Sequence, residues 1–244
     1  QGECAMKARL AVATILTVLS MGLLGVSSTL VEKFERVSPA TGALYAHRSS
    51  GDLGFLCSVT AVGRDGEALV ILTAYHCVQQ GVAYKVTFDG REMYPASVWK
   101  IPHYEVSMQK YPRLFGEPKT DMVFFRVFGI PEGKVPTIPL GDESSVKSGS
   151  PIITVGFPLG VAKVSYQGSV AGRLDRPGHD EHQYLLLQIF GAPGSSGSSV
   201  IDVDSMTIVG VLVSASTGSV GLPVIFATPI SYQKYLMDAT VHRK

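Results

Sequence analysis

Neither sign of charge dominates this chain. Twenty-one Lys and Arg stand against 20 Asp and Glu, leaving a formal net charge of +1 in 244 residues. Nucleic acids and anionic membrane surfaces attract proteins through an excess of positive charge, so the composition implies no such partner. Charged residues of any kind are sparse, at 17% against 45% hydrophobic, which excludes a chain held open by its own charge and permits a sizeable core. Long amphipathic runs of helical period are few, which argues against a bundle of helices. No long-period repeat is visible, which sets repeat architectures aside. Cysteine is scarce as well: of three, Cys4 precedes the first methionine, Met6, and Cys57 and Cys77 lie in the part expected to fold.

What is present is a chain rich in turns. Its 26 glycines and 14 prolines are scattered rather than clustered, and apolar segments of strand length lie between them. Together these predict an all-β architecture. Strand-like segments cover Gly54–Val62, Glu67–Ala74, Val82–Phe88, Arg91–Val98 and Asp121–Val127, after a polar entry over Val31–Val37. A second set begins near Pro151–Val155. It continues through Gly156–Gly160, Lys163–Val170, Tyr184–Phe190, Thr207–Val213 and Leu222–Ala227, with a short apolar run, Val200–Ile201, directly after a glycine-serine turn. Between the sets, Gly129–Gly141 is proline-rich and reads as a linker. Ser231–Ala239 reads as a terminal helix capped by Ser231. The expected organisation is an N-terminal hydrophobic segment over 1–31, a first β subdomain over 32–130, a linker over 131–146, and a second subdomain with the terminal helix over 147–244.

The N-terminal segment starts Met6-Lys-Ala-Arg9, runs apolar from Leu10 to Val26 and ends on small residues. That is the pattern of a secretory signal peptide, and continued through Val31 it is also just long enough to anchor in a bilayer. Either way, the basic residues before the run would stay cytoplasmic and the remainder would be translocated. Two origins account for a chain opening on Gln1: translation from Met6, or excision from a larger precursor such as a viral polyprotein. The first leaves an even pair of cysteines, as suits an oxidising compartment.

The stretch with the most chemistry is Gly191-Ala-Pro-Gly-Ser-Ser-Gly-Ser-Ser-Val200. A tight turn between two apolar strands can aim one hydroxyl and several backbone N–H groups at a single point. That equipment suits attack on a carbonyl and stabilisation of the oxyanion that results. Alone, such a turn is an ordinary turn signal. Likewise His76, at the end of an apolar strand, reads in isolation as a satisfied core histidine, and Asp121, directly before an apolar strand, as a turn cap.

Taken together, the three motifs are more specific. Thr73-Ala-Tyr-His76-Cys77 resembles the histidine motif of trypsin-like serine proteases. Thr120-Asp121-Met-Val resembles their aspartate motif, and Gly194-Ser-Ser196-Gly-Ser198 their nucleophile motif. The chain order His, Asp, Ser is that family's order. The segments Gly149–Gly160, Gly168-Ser-Val170 and Val224–Pro229 look like the bacterial HtrA-type branch and its viral relatives. The resemblance spans about residues 45–232.

The resemblance implies a chymotrypsin-like fold of two six-stranded antiparallel β-barrels, with His76 and Asp121 on the first and Ser196 on the second. It implies a serine endopeptidase acting on protein or peptide through an acyl-enzyme, with no cofactor or metal. Ser196 would be the nucleophile, His76 its base and Asp121 the group orienting the imidazole, while the N–H groups of Gly194 and Ser196 would form the oxyanion hole. Family geometry places the substrate pocket at Phe190, Val213, Ser214, Ala215 and Phe226. None of these is acidic, so a small or apolar residue before the scissile bond is expected. The resemblance also implies a disulfide between Cys57 and Cys77. Digestive relatives carry Asp before the nucleophile; here Ser195 stands there and no Ile-Val-Gly-Gly-like start is visible, so activation by N-terminal insertion is not expected. His179-Asp-Glu-His182 has the wrong spacing for a helical zinc pair and reads as a solvated loop. His47, His103 and His242 have no visible partners in the sequence. The expected location is secreted, periplasmic or membrane-anchored, with a viral polyprotein product as another origin. The rival reading is a catalytically silent binding protein on the same fold.

Overall fold

Short apolar runs punctuated by glycine turns give twelve strands among the described residues. In the computed structural model the described residues are 29–47, 51–79, 81–100, 121–175, 183–217 and 223–230. The first six strands are β1 (Thr41–His47), β2 (Leu53–Asp65), β3 (Ala68–Thr73), β4 (Tyr84–Thr87), β5 (Tyr94–Lys100) and β6 (Val123–Val127). They close into an antiparallel barrel in the order β1-β2-β3-β6-β5-β4, sealed by pairing of β1 with β4. The second six are β7 (Pro151–Gly156), β8 (Val164–Asp175), β9 (Gln183–Gln188), β10 (Ser199–Asp202), β11 (Ile208–Thr217) and β12 (Pro223–Pro229). They close as β10-β11-β12-β9-β8-β7, sealed by β7 and β10. Traced from β7, this ring runs in the same strand order as the first. The expected pair of six-stranded antiparallel barrels is therefore the observed architecture.

Closure decides the composition of each interior. A closed sheet has no edge to protect and must fill its centre with side chains. β3 is buried along its whole length, which accounts for the uninterrupted Ala68-Leu-Val-Ile-Leu-Thr73 run. The second barrel is filled by Ile152, Val170, Leu185, Leu187, Val200, Val209, Leu212 and Ile225, with Val146 from the connecting segment. Full burial of each such aliphatic side chain stabilises the fold by about 1.5–3 kcal/mol.

Two elements were not legible as such. β1 carries Thr41-Gly-Ala-Leu-Tyr-Ala-His47, whose small residues give a weak alternation; Gly42 has no room for a Cβ because the Thr87 carbonyl lies 2.7 Å from that position. The polar entry contains helix α1, Leu30–Val37. The chain divides into two compact units, Gln1–Glu32 and Lys33–Lys244. The end of the first unit carries a capping box: Thr29 N–H donates to Glu32 Oε2 at 2.8 Å, and Glu32 N–H donates to Thr29 Oγ1 at 3.3 Å. Among the described residues no helix is long and apolar enough to cross a bilayer. The apolar run Leu10–Val26, Cys4 and the expected helix Ser231–Ala239 lie outside the described residues.

The proline-rich connection between the barrels is pinned to both. Ile138, fully buried, donates its N–H to Ala61 of β2 at 2.9 Å; three residues on, Gly141 donates to Ile208 of β11 at 2.8 Å. Lys163 adds a second tie. Its ammonium donates to the carbonyls of Ser38 at 2.7 Å and Phe88 at 2.9 Å, reaching from the start of β8 to the first barrel. Burial lowers its pKa below the ordinary lysine value.

Cys57 of β2 and Cys77, one residue past His76, are joined in a disulfide with Cα atoms 6.2 Å apart. The bridge closes a sequence separation of 20 around the β2–β3 hairpin. A loop of that size corresponds to about 3 kcal/mol of stabilisation in the chain-entropy account. Urea unfolding with and without dithiothreitol should differ by about that amount. An identical midpoint in both would show that the bridge contributes nothing.

Candidate active site

The two barrels present their chemistry on short turns at the ends of buried strands. After β3 the chain leaves the sheet at Ala74 and makes one tight helical turn, Tyr75-His76-Cys77. This turn exposes His76, 42% by side chain, while the neighbouring Cys77 is buried and bridged. Asp121 immediately precedes Met122 and β6, the strand paired with β3, so register alone brings it to the end of the histidine strand. Its Oδ2 lies 2.6 Å from His76 Nδ1. Its Oδ1 accepts the His76 backbone N–H at 2.8 Å. A carboxylate oxygen only accepts, so Nδ1 carries the proton and Nε2 is the ring's basic nitrogen. With one oxygen on the ring and the other on the same residue's backbone, Asp121 fixes both the tautomer and the orientation of the imidazole.

The glycine-serine turn of the second barrel lies between β9 and β10, and burial separates its serines. Ser195, Ser198 and Ser199 are buried at 6%, 1% and 1%, whereas Ser196 is partly exposed. The turn needs two left-handed backbone positions, and glycine occupies both: Gly194 at φ +92 and Gly197 at φ +84. Neither could carry a side chain. A Cβ on Gly194 would stand 2.6 Å from the Phe157 carbonyl and 2.9 Å from the Phe55 ring. A Cβ on Gly197 would stand 2.1 Å from both the Ser58 carbonyl oxygen and the Thr73 hydroxyl of the first barrel. The turn therefore docks directly on the strand end that leads to His76.

Hydrogen bonds orient the peptides of the turn. The Pro193 carbonyl accepts from Leu159 N–H at 2.6 Å. A trans peptide directs its N–H opposite its C=O, so the Gly194 N–H points away from Leu159. Ser195 folds back on Ala192, donating its N–H to the Ala192 carbonyl at 2.9 Å. Ser195 is thus occupied with the turn itself, at the position where Asp stands in digestive relatives.

The residues expected to line the pocket are distributed as follows. Phe190 is 57% exposed and its ring lies 5.1 Å from Tyr166 of β8. In β11 the pairing with β12 slips between Leu212 and Ser214, a bulge at Val213 that changes which residues face outward. Val213 is buried at 7%, and Ser214 and Ala215 are exposed. Ser214 pairs with Phe226, whose ring meets Tyr184 edge-on at 6.0 Å.

Cys57, Cys77 and His76 also bring metal-ligand atom types within 4.8 Å of one another, but the disulfide uses both sulfurs and leaves no thiolate. His103, the loop His179–His182 and His242 lie outside the described residues. His47 sits at the end of β1, its Nδ1 3.4 Å from the Gly51 carbonyl. One residue of the site escaped the sequence reading: Ser58, fully buried, bonds to both the turn and the histidine strand. Ser58 stands two residues before Thr60 in the apolar run Gly54–Val62, and nothing in that run alone marks it.

Comparison with known proteins bears on the family and the fold. The family model for the trypsin-like peptidase domain matches residues 54–211, more than half of the chain. A probable periplasmic serine endoprotease, DegP-like, of Brucella suis biovar 1 (strain 1330) is 25% identical over 177 residues, covering 71% of this chain and 31% of that protein. The serine protease PepD of Mycobacterium tuberculosis (strain ATCC 25618 / H37Rv) is 29% identical over 144 residues, covering 51% of this chain and 30% of PepD. The chain thus spans about a third of the length of the curated relatives it matches. Among solved structures, the HtrA-type protease AlgW with decapeptide superposes with a TM-score of 0.67 at 15% identity, covering 88% of this chain and 68% of that one. At that identity the likeness shows the fold.

The docking of Gly197 gives a direct test. Gly197→Ala should destabilise the fold by about 2–4 kcal/mol, combining left-handed strain with overpacking. Gly149→Ala is the control, because Gly149 also has positive φ but nothing within 4 Å of its Cβ position. It should cost only the conformational part, about 1–2 kcal/mol. Equal losses in thermal unfolding of the two variants would contradict the contact.

Proposed function

The chain belongs to the trypsin-like peptidase domain family, and from that premise we propose that it is a serine endopeptidase using Ser196, His76 and Asp121. The observation that carries the reading is the two-point hold of Asp121 on His76, through Nδ1 at 2.6 Å and the backbone N–H at 2.8 Å. It leaves Nε2 as the base, in the family's chain order with a partly exposed serine following two residues after a left-handed glycine.

The chemistry then runs in two halves. As Ser196 Oγ bonds to the substrate carbonyl carbon, its proton passes to His76 Nε2 and the carbonyl electron pair moves onto oxygen. Asp121 stabilises the imidazolium that forms. The oxyanion is met by the N–H groups of Gly194 and Ser196, where one such donor is worth about 3–4 kcal/mol of transition-state stabilisation. Collapse breaks the C–N bond, the amine leaves with the proton from His76, and an acyl-enzyme remains. Water repeats the sequence with His76 as base and returns Ser196 to its hydroxyl form.

Ser196→Ala and His76→Ala should each abolish both peptide hydrolysis and labelling by a fluorophosphonate, with folding unchanged by circular dichroism. Asp121→Asn should lower kcat by roughly 10⁴-fold, because an amide accepts one tautomer less selectively and carries no charge. A folded wild-type protein that neither hydrolyses peptides nor takes the label would favour a silent binding protein on the same fold.

For the substrate, we propose a small or apolar residue before the scissile bond. Phe190, Val213, Ser214, Ala215 and Phe226 offer no carboxylate to a basic side chain. Cleavage of a peptide library should give Ala, Val or similar residues at that position; a strict Arg or Lys preference would refute this. The site of action we propose is outside the cytoplasm. The Cys57–Cys77 bridge supports it, since disulfides persist in oxidising compartments. The similarity to a DegP-like protein described as periplasmic supports it as well.

A further inference from the structure

We propose that Ser58 is a positioning residue for this site: its hydroxyl sets the orientation of the turn that carries Gly194 and Ser196. The inference rests on the serine-peptidase reading and adds to it a residue on the opposite barrel.

Ser58 lies in β2 and none of its surface is exposed. Its Oγ donates to the Gly194 carbonyl at 2.9 Å and accepts the Phe157 N–H at 2.9 Å. Its backbone N–H donates to the Ser196 carbonyl at 2.9 Å. Its carbonyl accepts from Thr73 Oγ1 at 2.7 Å, three residues before His76. A hydroxyl has a single proton, and here that proton is committed to Gly194.

The consequence follows from peptide planarity. Fixing a carbonyl fixes the N–H of the next residue on the opposite side. Four successive carbonyls of the turn are held: Pro193 by Leu159 N–H, Gly194 by Ser58 Oγ, Ser195 by Ser198 N–H at 3.0 Å, and Ser196 by Ser58 N–H. Ser58 supplies two of the four. The far sides agree, with Ser195 N–H on Ala192 and Gly197 N–H on Leu212 at 2.8 Å. Gly194 has no side chain and a φ of +92, so its conformation is held only by the peptides on either side. Without the Ser58 hydroxyl, the Gly194 carbonyl loses its donor and the Phe157 N–H its acceptor. The peptide between Gly194 and Ser195 joins the two peptides that carry the Gly194 and Ser196 N–H groups, so freeing it loosens the placement of one donor relative to the other, while the backbone bond from Ser58 to Ser196 remains.

Steady-state hydrolysis of one peptide substrate by wild type, Ser58→Ala, Ser58→Thr and Ser58→Cys tests this, together with the affinity of a peptide boronic acid whose tetrahedral adduct uses the oxyanion donors. Ser58→Ala should lower kcat roughly 10–100-fold. KM should stay within about threefold, boronate affinity should fall in parallel, and the midpoint of the rate–pH profile should not move. Ser58→Thr, which returns a hydroxyl, should recover most of the lost kcat. If Ser58→Ala fails to fold, Ser58→Cys keeps the volume with a weaker donor and should show the same kcat-only loss in smaller degree. A folded Ser58→Ala or Ser58→Cys with wild-type kcat, or a loss expressed in KM alone, overturns the inference and leaves the peptidase reading intact. A wild type inert to both substrate and fluorophosphonate overturns the peptidase reading, and this inference with it.

Discussion

The space missing a side chain at Gly197 is the constraint on which the site depends. Two closed barrels share no strand, so nothing in their sheets fixes one against the other. What fixes them is contact at the seam, including the Gly197 backbone, where a Cβ would stand 2.1 Å from both the Ser58 carbonyl oxygen and the Thr73 hydroxyl. Any Cβ there would hold the glycine-serine turn away from the strand that leads to His76. Distance at this seam is the sensitive quantity, because a displacement of about 1 Å at reacting groups costs on the order of a hundredfold in rate. The ties farther out, Ile138 to Ala61 and Lys163 to Ser38 and Phe88, hold the same two bodies from other directions.

Within the first barrel, the His76–Asp121 pair needs no such long-range help. β3 and β6 are hydrogen-bonded neighbours, with Thr73 opposite Val123. A residue leaving β3 and a residue entering β6 must therefore meet at the same end of the barrel. The pairing costs the fold little, since both groups keep part of their surface in water, 42% for His76 and 28% for Asp121. Full burial would have charged the pair with a desolvation penalty of several kcal/mol per ion. The partial exposure also leaves the ring open to a substrate.

The sequence carried the features that depend on local chemistry. The apolar runs announced two successive sets of short strands, and the His, Asp, Ser order announced which residues to compare. It was less informative where function rests on contact between distant segments. β1 is built of small residues whose alternation is faint. The helix Leu30–Val37 was masked by its polar composition, although Thr29 and Glu32 have capping-box spacing. Ser58 was hidden for the deeper reason that a serine in a strand has no signature of its own. Its meaning comes from Gly194, Phe157 and Ser196, which lie on the other barrel.

Adjacency in β2 links these observations. Cys57 and Ser58 are consecutive residues, and successive side chains of a strand point to opposite faces. One face is bonded covalently to Cys77, beside His76; the other is hydrogen-bonded to Gly194, beside Ser196. A two-residue segment of one strand thereby holds the histidine turn and the glycine-serine turn at once. The two attachments differ in kind for a physical reason. The histidine turn belongs to the same barrel, where a covalent bridge closes a short loop and stabilises it at the expense of the unfolded chain. The serine turn belongs to the other closed barrel, so its attachment joins two separate sheets. Hydrogen bonds to backbone carbonyls suit such a junction, because they demand a specific geometry of the turn without requiring any particular side chain on it.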